Sequence, residues 1–208
     1  GKKGGAARSE QLDHVDKEGA GQVALIGPPN SGKSSLLDVL TNAKPFVADY
    51  PYSTREPQAG MAPFETISIQ LVDTPPISPD LFETYLLGII RNADLICLVV
   101  GVGDPNTEEA TRFVFDKLKE RRVILTPEVP AEDDIEDASL AYKKTIIVAH
   151  KIYDDEGNER RHRLSELYPG FRIVPTSILD DDLMENFKRE LFIGLDIIRV
   201  YTKTIGHD

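Results

Sequence analysis

The stretch Gly27–Ser35, with the sequence GPPNSGKSS, constrains the fold more than any other part of the chain. It follows directly on the apolar run Gln22–Ile26, which is typical of a buried strand, and a helix is predicted from Lys33 to about Asn42. Glycine, four residues and then Gly-Lys-Ser between a strand and a helix is the pattern of a phosphate-binding loop. The alternative is a glycine turn that merely links strand to helix, and the agreement of pattern and context argues against it.

The chemistry of such a loop follows from its backbone and from two side chains. Turns at Gly27 and Gly32 let consecutive N–H groups point inward at phosphate oxygens, and the positive N-terminus of the next helix faces the same anion. Lys33 would then reach the terminal phosphates, and the Ser34 hydroxyl would hold Mg²⁺. The loop residues predicted to bind a nucleotide are Asn30, Ser31, Gly32, Lys33, Ser34 and Ser35.

Length and composition narrow the class of protein. The 208 residues suffice for one domain or two small ones, and 40% hydrophobic residues are enough for a core. No apolar run approaches the ~20 residues that span a bilayer, and no signal peptide is visible, so we expect a cytoplasmic protein that contacts no membrane. Cys97, the only cysteine, lies in an apolar run and is expected to be a buried thiol. The net charge of −11 argues against a broad nucleic-acid-binding face.

Strands and helices alternate along the rest of the chain. We predict strands at 66–72, 95–100, 145–149 and 171–175, and helices at 80–92, 107–120, 160–168 and 181–194. Residues 47–57 are predicted to be a surface loop because prolines interrupt them. This alternation indicates an α/β fold with a mostly parallel, doubly wound sheet that binds its ligands at the carboxyl ends of the strands.

Four further segments of the sequence bear on candidate sites or on helix capping. Asp73 ends a strand beside the phosphate loop, where a magnesium-binding carboxylate belongs. The glycines of residues 101–103 are too few for a dinucleotide site. Thr107 is the predicted N-cap of its helix. Six carboxylates within Glu128–Asp137 indicate either a solvated acidic loop, which we favour, or a site for a metal or a basic partner.

Three segments together resemble Obg-type small GTPases, and more narrowly the developmentally regulated, DRG-like branch. They are Gly27–Ser35, the stretch from Thr41 to Thr54, and Leu71–Pro75. The resemblance implies a P-loop NTPase with a Ras-like G domain that binds GTP and GDP with Mg²⁺. The further residue roles that it implies are Thr54 and Asp73, with Ser34, as metal ligands, and Ser177 and Ile178 as the loop that backs the base.

The resemblance also divides the chain. Residues 1–21 are expected to be a flexible arm, with a turn or two of helix around residues 8–17, and residues 22–197 a G domain. Residues 198–208 look like the opening strand of a TGS domain, which would make the parent protein longer. The family points to a ribosomal or RNA partner, reached through the missing C-terminal domain because this part is acidic. The sequence names no protein partner.

Two sites depart from the pattern of the family. The switch II glycine, whose N–H binds the γ-phosphate, is replaced by Pro76, which has no N–H. The guanine-reading motif Asn-Lys-x-Asp becomes His150, Lys151, Ile152 and Tyr153, so the carboxylate that accepts from the base is absent. His150 and Lys151 remain candidates for nucleotide binding. Asp154 or Asp155 would have to shift to replace the lost acceptor.

Two further positions bear on catalysis. Ile77 stands where Ras-type proteins place a water-orienting glutamine, and an isoleucine cannot polarise water. Asn30 matches the asparagine that helps to bind K⁺ in potassium-activated relatives, although it can equally be an ordinary turn residue.

The favoured hypothesis is a slow, Mg²⁺-dependent GTPase switch in which Lys33, Thr54 and Asn30 are the catalytic residues, with K⁺ as a second candidate cofactor. The alternative is a nucleotide-binding or scaffold module that does not hydrolyse GTP, which the changes at Pro76, His150 and Tyr153 favour. Hydrolysis of ATP or of mixed nucleotides ranks third. A P-loop kinase ranks last, because no arginine-rich lid is evident.

Overall fold

The strand before the phosphate loop lies in the middle of an eight-stranded sheet in the computed structural model. The structure describes residues 15–41, 46–47, 58–151 and 154–197. The strands are β1 (Gln22–Ile26), β2 (Phe46–Val47), β3 (Gln58–Phe64), β4 (Ile67–Asp73), β5 (Leu95–Gly101), β6 (Val123–Thr126), β7 (Ala141–His150) and β8 (Ile173–Thr176). The α-helices are α1 (Lys33–Thr41), α2 (Leu86–Asn92), α3 (Thr107–Glu120), α4 (Asp155–Leu167) and α5 (Asp181–Gly194), and Glu132–Asp134 form a 3₁₀ turn.

The sheet is mostly parallel, as the alternation of strands and helices predicts. Its order is β2-β3-β4-β1-β5-β7-β6, and β8 pairs with the second half of β7. Strand β1 pairs in parallel with β4 on one side and with β5 on the other, and only the β2–β3 and β3–β4 pairs are antiparallel among the described strands. Parallel pairing brings the carboxyl ends of β1, β4, β5, β7 and β8 to one edge of the sheet.

Alternate residues of the central strands supply two cores, one on each face of the sheet. On one face Ile96 and Leu98 of β5 join a cluster with α2, α3 and α4. On the other face Cys97 and Val99 join a cluster with α1 and α5. Because β5 is covered on both faces, all its side chains are apolar, and burial raises the pKa of the Cys97 thiol well above its usual value.

Several elements differ from the prediction because pairing and capping override local propensity. Strand β3 was missed because Gly60 and Pro63 weaken its strand signal, and β4 forms it by antiparallel pairing. Strand β6 was also missed, and β7 begins four residues before the predicted strand. Val47, which was predicted to begin a surface loop, lies instead in strand β2.

Two helices start at other residues than predicted. Helix α2 begins at Leu86 and not at residue 80, because Ser78 and Leu81 exchange two backbone hydrogen bonds. Helix α4 begins at Asp155, five residues before the predicted start, because Asp154 caps it.

The segment before β1 packs against the sheet. The buried side chain of Gln22 donates to the Val15 carbonyl at 3.0 Å, and Lys17 forms an ion pair with Asp94 at 2.8 Å. The expectation of a mobile arm is therefore wrong for residues 15–21, which bond to β4 where Ala20 N donates to the Ser68 carbonyl and Gln70 N donates to the Gly21 carbonyl. For residues 1–14, outside the described part of the chain, it stays a prediction.

Thr107 has a different role from the predicted one. Asn106 occupies the N-cap position of α3, and the Thr107 hydroxyl donates to the carbonyls of Gly101 and Asp104. Thr107 thus ties the start of α3 to the end of β5, which fixes the loop between them.

The acidic loop Glu128–Asp137 is mainly exposed, which fits the favoured interpretation of a solvated loop. Within it, Asp137 forms an ion pair with Arg122 at 3.1 Å. Among the described residues no group of three or more His, Cys, Asp or Glu side chains is placed to hold a metal ion, and no helix there has the length and apolar character that a membrane span requires.

The packing of α5 generates a stability prediction. Phe187 is fully buried against the sheet, so Phe187→Ala should lower the free energy of unfolding by about 3–5 kcal/mol, as loss of a buried aromatic ring does. Urea unfolding monitored by circular dichroism measures this. Ile193→Ala on the same helix is the matched control, because Ile193 is 47% exposed, and a change of about 0.5 kcal/mol or less is expected there. Equal losses in the two variants would contradict the placement of α5.

Candidate functional site

Five loops lie at the carboxyl edge of the sheet. They follow β1, β4, β5, β7 and β8, as predicted from the strand order. The phosphate loop and the segment after β4 line an opening of about 420 Å³. Its lining residues are Pro29, Asn30, Ser31, Gly32, Lys33, Ser34, Ser35, Thr74 and Pro76. All six loop residues predicted to bind a nucleotide therefore line this one cleft.

Position 32 requires a glycine, both because of its backbone conformation and because other side chains lie close to it. Its φ of +91° lies in the left-handed region, and a Cβ placed there would lie 2.5 Å from His150 Cδ2. The Gly32 carbonyl accepts from Leu36 N at 3.1 Å, so the loop passes directly into helix α1 at Lys33. The glycine thus lets the chain enter the helix while the loop after β7 lies against it.

Lys33 and Asp73 are two buried side chains whose opposite charges interact. Burial lowers the pKa of Lys33, and the negative charge of Asp73 opposes that shift. Burial likewise raises the pKa of Asp73, while Lys33 and the hydrogen bond from Ser34 oppose it. Each charge pays a desolvation cost that the other only partly offsets. An anion beside Lys33 and a cation beside Asp73 would offset the remainder.

The Ser34 hydroxyl donates to Asp73 Oδ2 at 2.6 Å, so the two predicted metal ligands within the described residues are in direct contact. Asp73 Oδ1 and Ser31 Oγ are both buried and make no hydrogen bond to any described residue. Buried polar atoms without partners are costly, and hard oxygen ligands of this kind suit Mg²⁺. The donor set therefore fits a magnesium ion beside a bound phosphate.

The segment after Asp73 is anchored to the body of the domain. Thr74 Oγ1 donates to the Leu25 carbonyl at 2.7 Å, and Ile77 N donates to the Gly27 carbonyl at 2.9 Å. The Ile77 side chain is 1% exposed and belongs to one of the two cores. Pro76 lines the cleft between these anchors, so a group without an N–H faces the phosphate site.

His150 lies against the phosphate loop as a buried, neutral ring. It is 1% exposed, and its Nδ1 makes a hydrogen bond of 2.7 Å with Thr176 Oγ1 on the neighbouring strand β8. Burial, together with the positive charge of Lys151, lowers the pKa of His150 from its usual 6.5 to about 4. The imidazole is therefore uncharged at neutral pH, and it links β8 to the phosphate loop.

Lys151 lies over the same loop. Its Nζ donates to the Asn30 carbonyl at 3.2 Å, and its stem approaches Gly32. Asn30 and Lys151 both have φ near +60°. The left-handed conformation of Asn30 fits the role of a turn residue, which the sequence left open beside the role in K⁺ binding.

The loop after β8 presents apolar side chains next to a buried serine. Ser177 Oγ accepts from Leu179 N at 3.2 Å, while Ile178 is 37% and Leu179 80% exposed. Ser177 and Ile178 are thus brought to the same edge as Lys151, because β8 pairs with β7. The placement is compatible with the predicted base loop.

Some predicted residues lie outside the described part of the chain, namely Thr54, Ile152, Tyr153 and residues 198–208. Two residues that the sequence analysis did not single out belong to the site. Thr74 lines the cleft directly after Asp73, and Thr176 is the partner of His150. The signal for both was their position at the end of a strand beside a predicted site residue.

Comparison with known proteins identifies relatives of this domain. The family described as "50S ribosome-binding GTPase" matches residues 22–128. GTPase Obg of Mycoplasmopsis pulmonis is 27% identical over 175 residues, which is 82% of this chain and 39% of that protein. GTPase Obg of Borreliella afzelii is 27% identical over 176 residues, or 82% of this chain and 49% of that protein. The chain thus spans about half, or less, of these curated relatives.

A solved structure agrees with the sequence relatives. The G domain of the FeoB iron transporter of T. maritima superposes with a TM-score of 0.59 at 26% identity. The match covers 83% of this chain and 97% of that domain. The whole of that G domain is therefore similar to the region that carries the cleft described above.

The buried His150 makes stability depend on pH. Between its usual pKa of 6.5 and its folded value of about 4, the unfolded chain binds a proton that the folded chain does not. Stability therefore rises with pH in this window and falls, by on the order of 3 kcal/mol in total, as pH drops through it. Urea unfolding at several pH values between 7 and 4 gives the free energy of unfolding of the native protein and of His150→Gln. The difference between the two measures this contribution, and the free energy of His150→Gln should vary less with pH. His162→Gln, which removes an exposed imidazole of α4, is the matched control for loss of a histidine. Parallel curves for the native protein and His150→Gln would contradict the buried, neutral ring.

Proposed function

Since the chain belongs to the family of 50S ribosome-binding GTPases and is a GTP-binding G domain related to the Obg and FeoB GTPases, we propose that it hydrolyses GTP slowly with Mg²⁺ and acts as a switch. The observation that carries the proposal is the contact of Ser34 with Asp73 beside the buried Lys33. These three side chains are the charge and oxygen donors that a nucleoside triphosphate with Mg²⁺ requires.

Each described residue has a defined part in this proposal. The loop N–H groups and the start of α1 bind the phosphates, and Lys33 places a positive charge at the terminal phosphate. Ser34 and Asp73, together with Thr54, would hold Mg²⁺, which supplies neutralisation of the phosphate charge when bound. The unpaired Asp73 Oδ1 supports this assignment because a cation there would satisfy it.

Slow hydrolysis is proposed because the described residues near the γ-phosphate position supply few groups that could orient or polarise the attacking water. Ile77 is apolar, and its side chain is buried in the core, away from the cleft. Asn30, with K⁺ as its partner ion, is the remaining candidate for stabilising charge on the phosphate. Lys151 already donates to its carbonyl, so the side-chain amide of Asn30 would have to serve this role.

We also propose that the protein acts in the cytoplasm and has a ribosomal or RNA partner, which the description of the matched family supports. The net charge of −11 disfavours direct contact of this domain with RNA, so the contact would be made by another part of the protein, for which a TGS domain is the candidate.

A second candidate function is a nucleotide-binding scaffold that does not distinguish GTP from GDP. The observation that favours it is the anchored segment after Asp73, in which Ile77 N is already bonded to the Gly27 carbonyl and Pro76 has no N–H. A segment held in this way has little freedom to respond to the γ-phosphate.

Loss of the Lys33 charge tests the nucleotide site itself. Lys33→Ala should weaken binding of fluorescent GTP and GDP by at least about a hundredfold, because a charge-assisted contact to phosphate is lost. Titration with Mg²⁺ present measures this. Lys188→Ala on α5, where the lysine pairs with Glu185, should bind both nucleotides as the native protein does.

The same protein tests turnover. Phosphate release from GTP should require Mg²⁺ and be faster in K⁺ than in Na⁺ if Asn30 helps to hold the monovalent ion. Equal rates in the two salts would contradict the role of Asn30 in K⁺ binding. If nucleotide binds but is not hydrolysed, the scaffold is favoured. If no nucleotide binds, both functions are contradicted.

Restoring an N–H at position 76 distinguishes the switch from the scaffold. Pro76→Gly should tighten binding of a non-hydrolysable GTP analogue relative to GDP by about 10- to 100-fold, since one hydrogen bond to a charged phosphate becomes possible. Isothermal titration calorimetry measures both affinities. Pro79→Gly, at an exposed position of the same segment, is the control and should leave the ratio unchanged. A native protein that already prefers the GTP analogue strongly would support the switch. It would contradict the scaffold, and with it the loss of γ-phosphate sensing at Pro76.

A further inference from the structure

Among the described residues, two aspartates near the base end of the cleft cap helices. Asp154 is the first acid after Lys151, and its Oδ1 accepts from Gly157 N at 2.8 Å as the N-cap of α4. Asp180 follows the loop after β8 and accepts from Leu183 N at 3.1 Å as the N-cap of α5. Each side chain satisfies the backbone of its own helix, so neither is held toward a base.

The base end adjoins the phosphate cradle at Gly32. His150 and Lys151 both approach this glycine, and Thr176, which opens the loop after β8, pairs with His150. A base attached to phosphates bound in the cradle would therefore lie beside Lys151 and Ile178. This step rests on the proposed nucleotide-binding function.

Guanine and adenine differ at the edge that a carboxylate would read. Guanine presents two donors there, N1–H and the 2-amino group, whereas adenine presents an acceptor at N1 and no amino group at C2. A site discriminates strongly only when it buries a partner for such groups, since the wrong base then leaves that partner unpaired. Each capping aspartate is tied to its own helix through one carboxylate oxygen, so turning it toward a base would cost that cap.

Among the described residues, the surfaces at the base end are two aliphatic side chains, the stem of Lys151 and the buried ring of His150. Ile178 and Leu179 expose aliphatic side chains, and the stem of Lys151 crosses Gly32 while its ammonium group donates to the Asn30 carbonyl. His150 is buried and paired with Thr176. Such surfaces contact the face of any purine equally well, because the faces of guanine and adenine are nearly alike in shape.

We propose that this cleft holds a purine base by its faces and does not select guanine, so that GDP, inosine diphosphate (IDP) and ADP bind with affinities within about tenfold of one another. Diphosphates are the informative ligands because they leave out the γ-phosphate and its contact near Pro76. IDP separates the 2-amino group from N1–H, since it lacks only the former.

Displacement of a fluorescent GDP analogue by unlabelled GDP, IDP and ADP, with Mg²⁺ and the whole chain, tests this proposal. Three dissociation constants within about tenfold are expected. A preference for GDP over ADP of more than about tenfold would overturn the inference and leave the proposed GTP binding intact. Failure of all three to bind would overturn the proposed function, and with it this inference.

Asp154→Asn asks directly whether the aspartate reads the base. Asparagine caps a helix about as well as aspartate, so the fold and the GDP-to-ADP ratio should both stay within about twofold of the native values. Loss of GDP affinity by about tenfold or more, with ADP affinity kept, would show that Asp154 accepts from guanine and would overturn the proposal. Asp180→Asn makes the same change at the cap of α5 and is the matched control, and urea unfolding of both variants confirms that the caps are kept.

Discussion

Parallel pairing of β1 with β4 on one side and β5 on the other decides where the polar side chains of this domain lie. Leu25 is paired with Asp73 in the register of β1 and β4, so the aspartate reaches the edge at which the phosphate loop begins. The same register brings Thr74 to the Leu25 carbonyl and Ile77 to the Gly27 carbonyl. A shift of one residue would turn Asp73 to the other face of the sheet, away from Ser34.

The two halves of the cleft meet different physical requirements. The phosphate half buries Lys33 and Asp73, whose charges are only partly compensated by each other, and leaves two polar oxygens without partners among the described residues. In the described part of the base half, His150 is neutral and paired, and Asp154 and Asp180 each bond to their own helix. The buried groups that a ligand would stabilise therefore lie where phosphate and a cation would bind.

Much of the fold was predictable from local patterns, and what failed has a common cause. The phosphate loop, α1, α3 and α5 were predicted closely because their signals are contiguous in sequence. Strand β3 has little strand propensity of its own and forms through pairing with β4, and residues 15–21 pack because Gln22 and Asp94 hold them. Helix α4 starts five residues before the predicted position because Asp154 caps it.

The sequence alone determined the phosphate loop, the α/β class and the identity of the changed positions, because a nine-residue pattern and strand-like or helix-like periodicity depend only on neighbours along the chain. The tertiary structure decided what those changed residues do. Ser34 meets Asp73 across 39 residues and His150 meets Thr176 across 26. Whether Ile77 faces water or the core, and whether an aspartate caps a helix or is free for a base, depends on strand register and helix start. Both are set by pairing between distant segments, which no local pattern specifies.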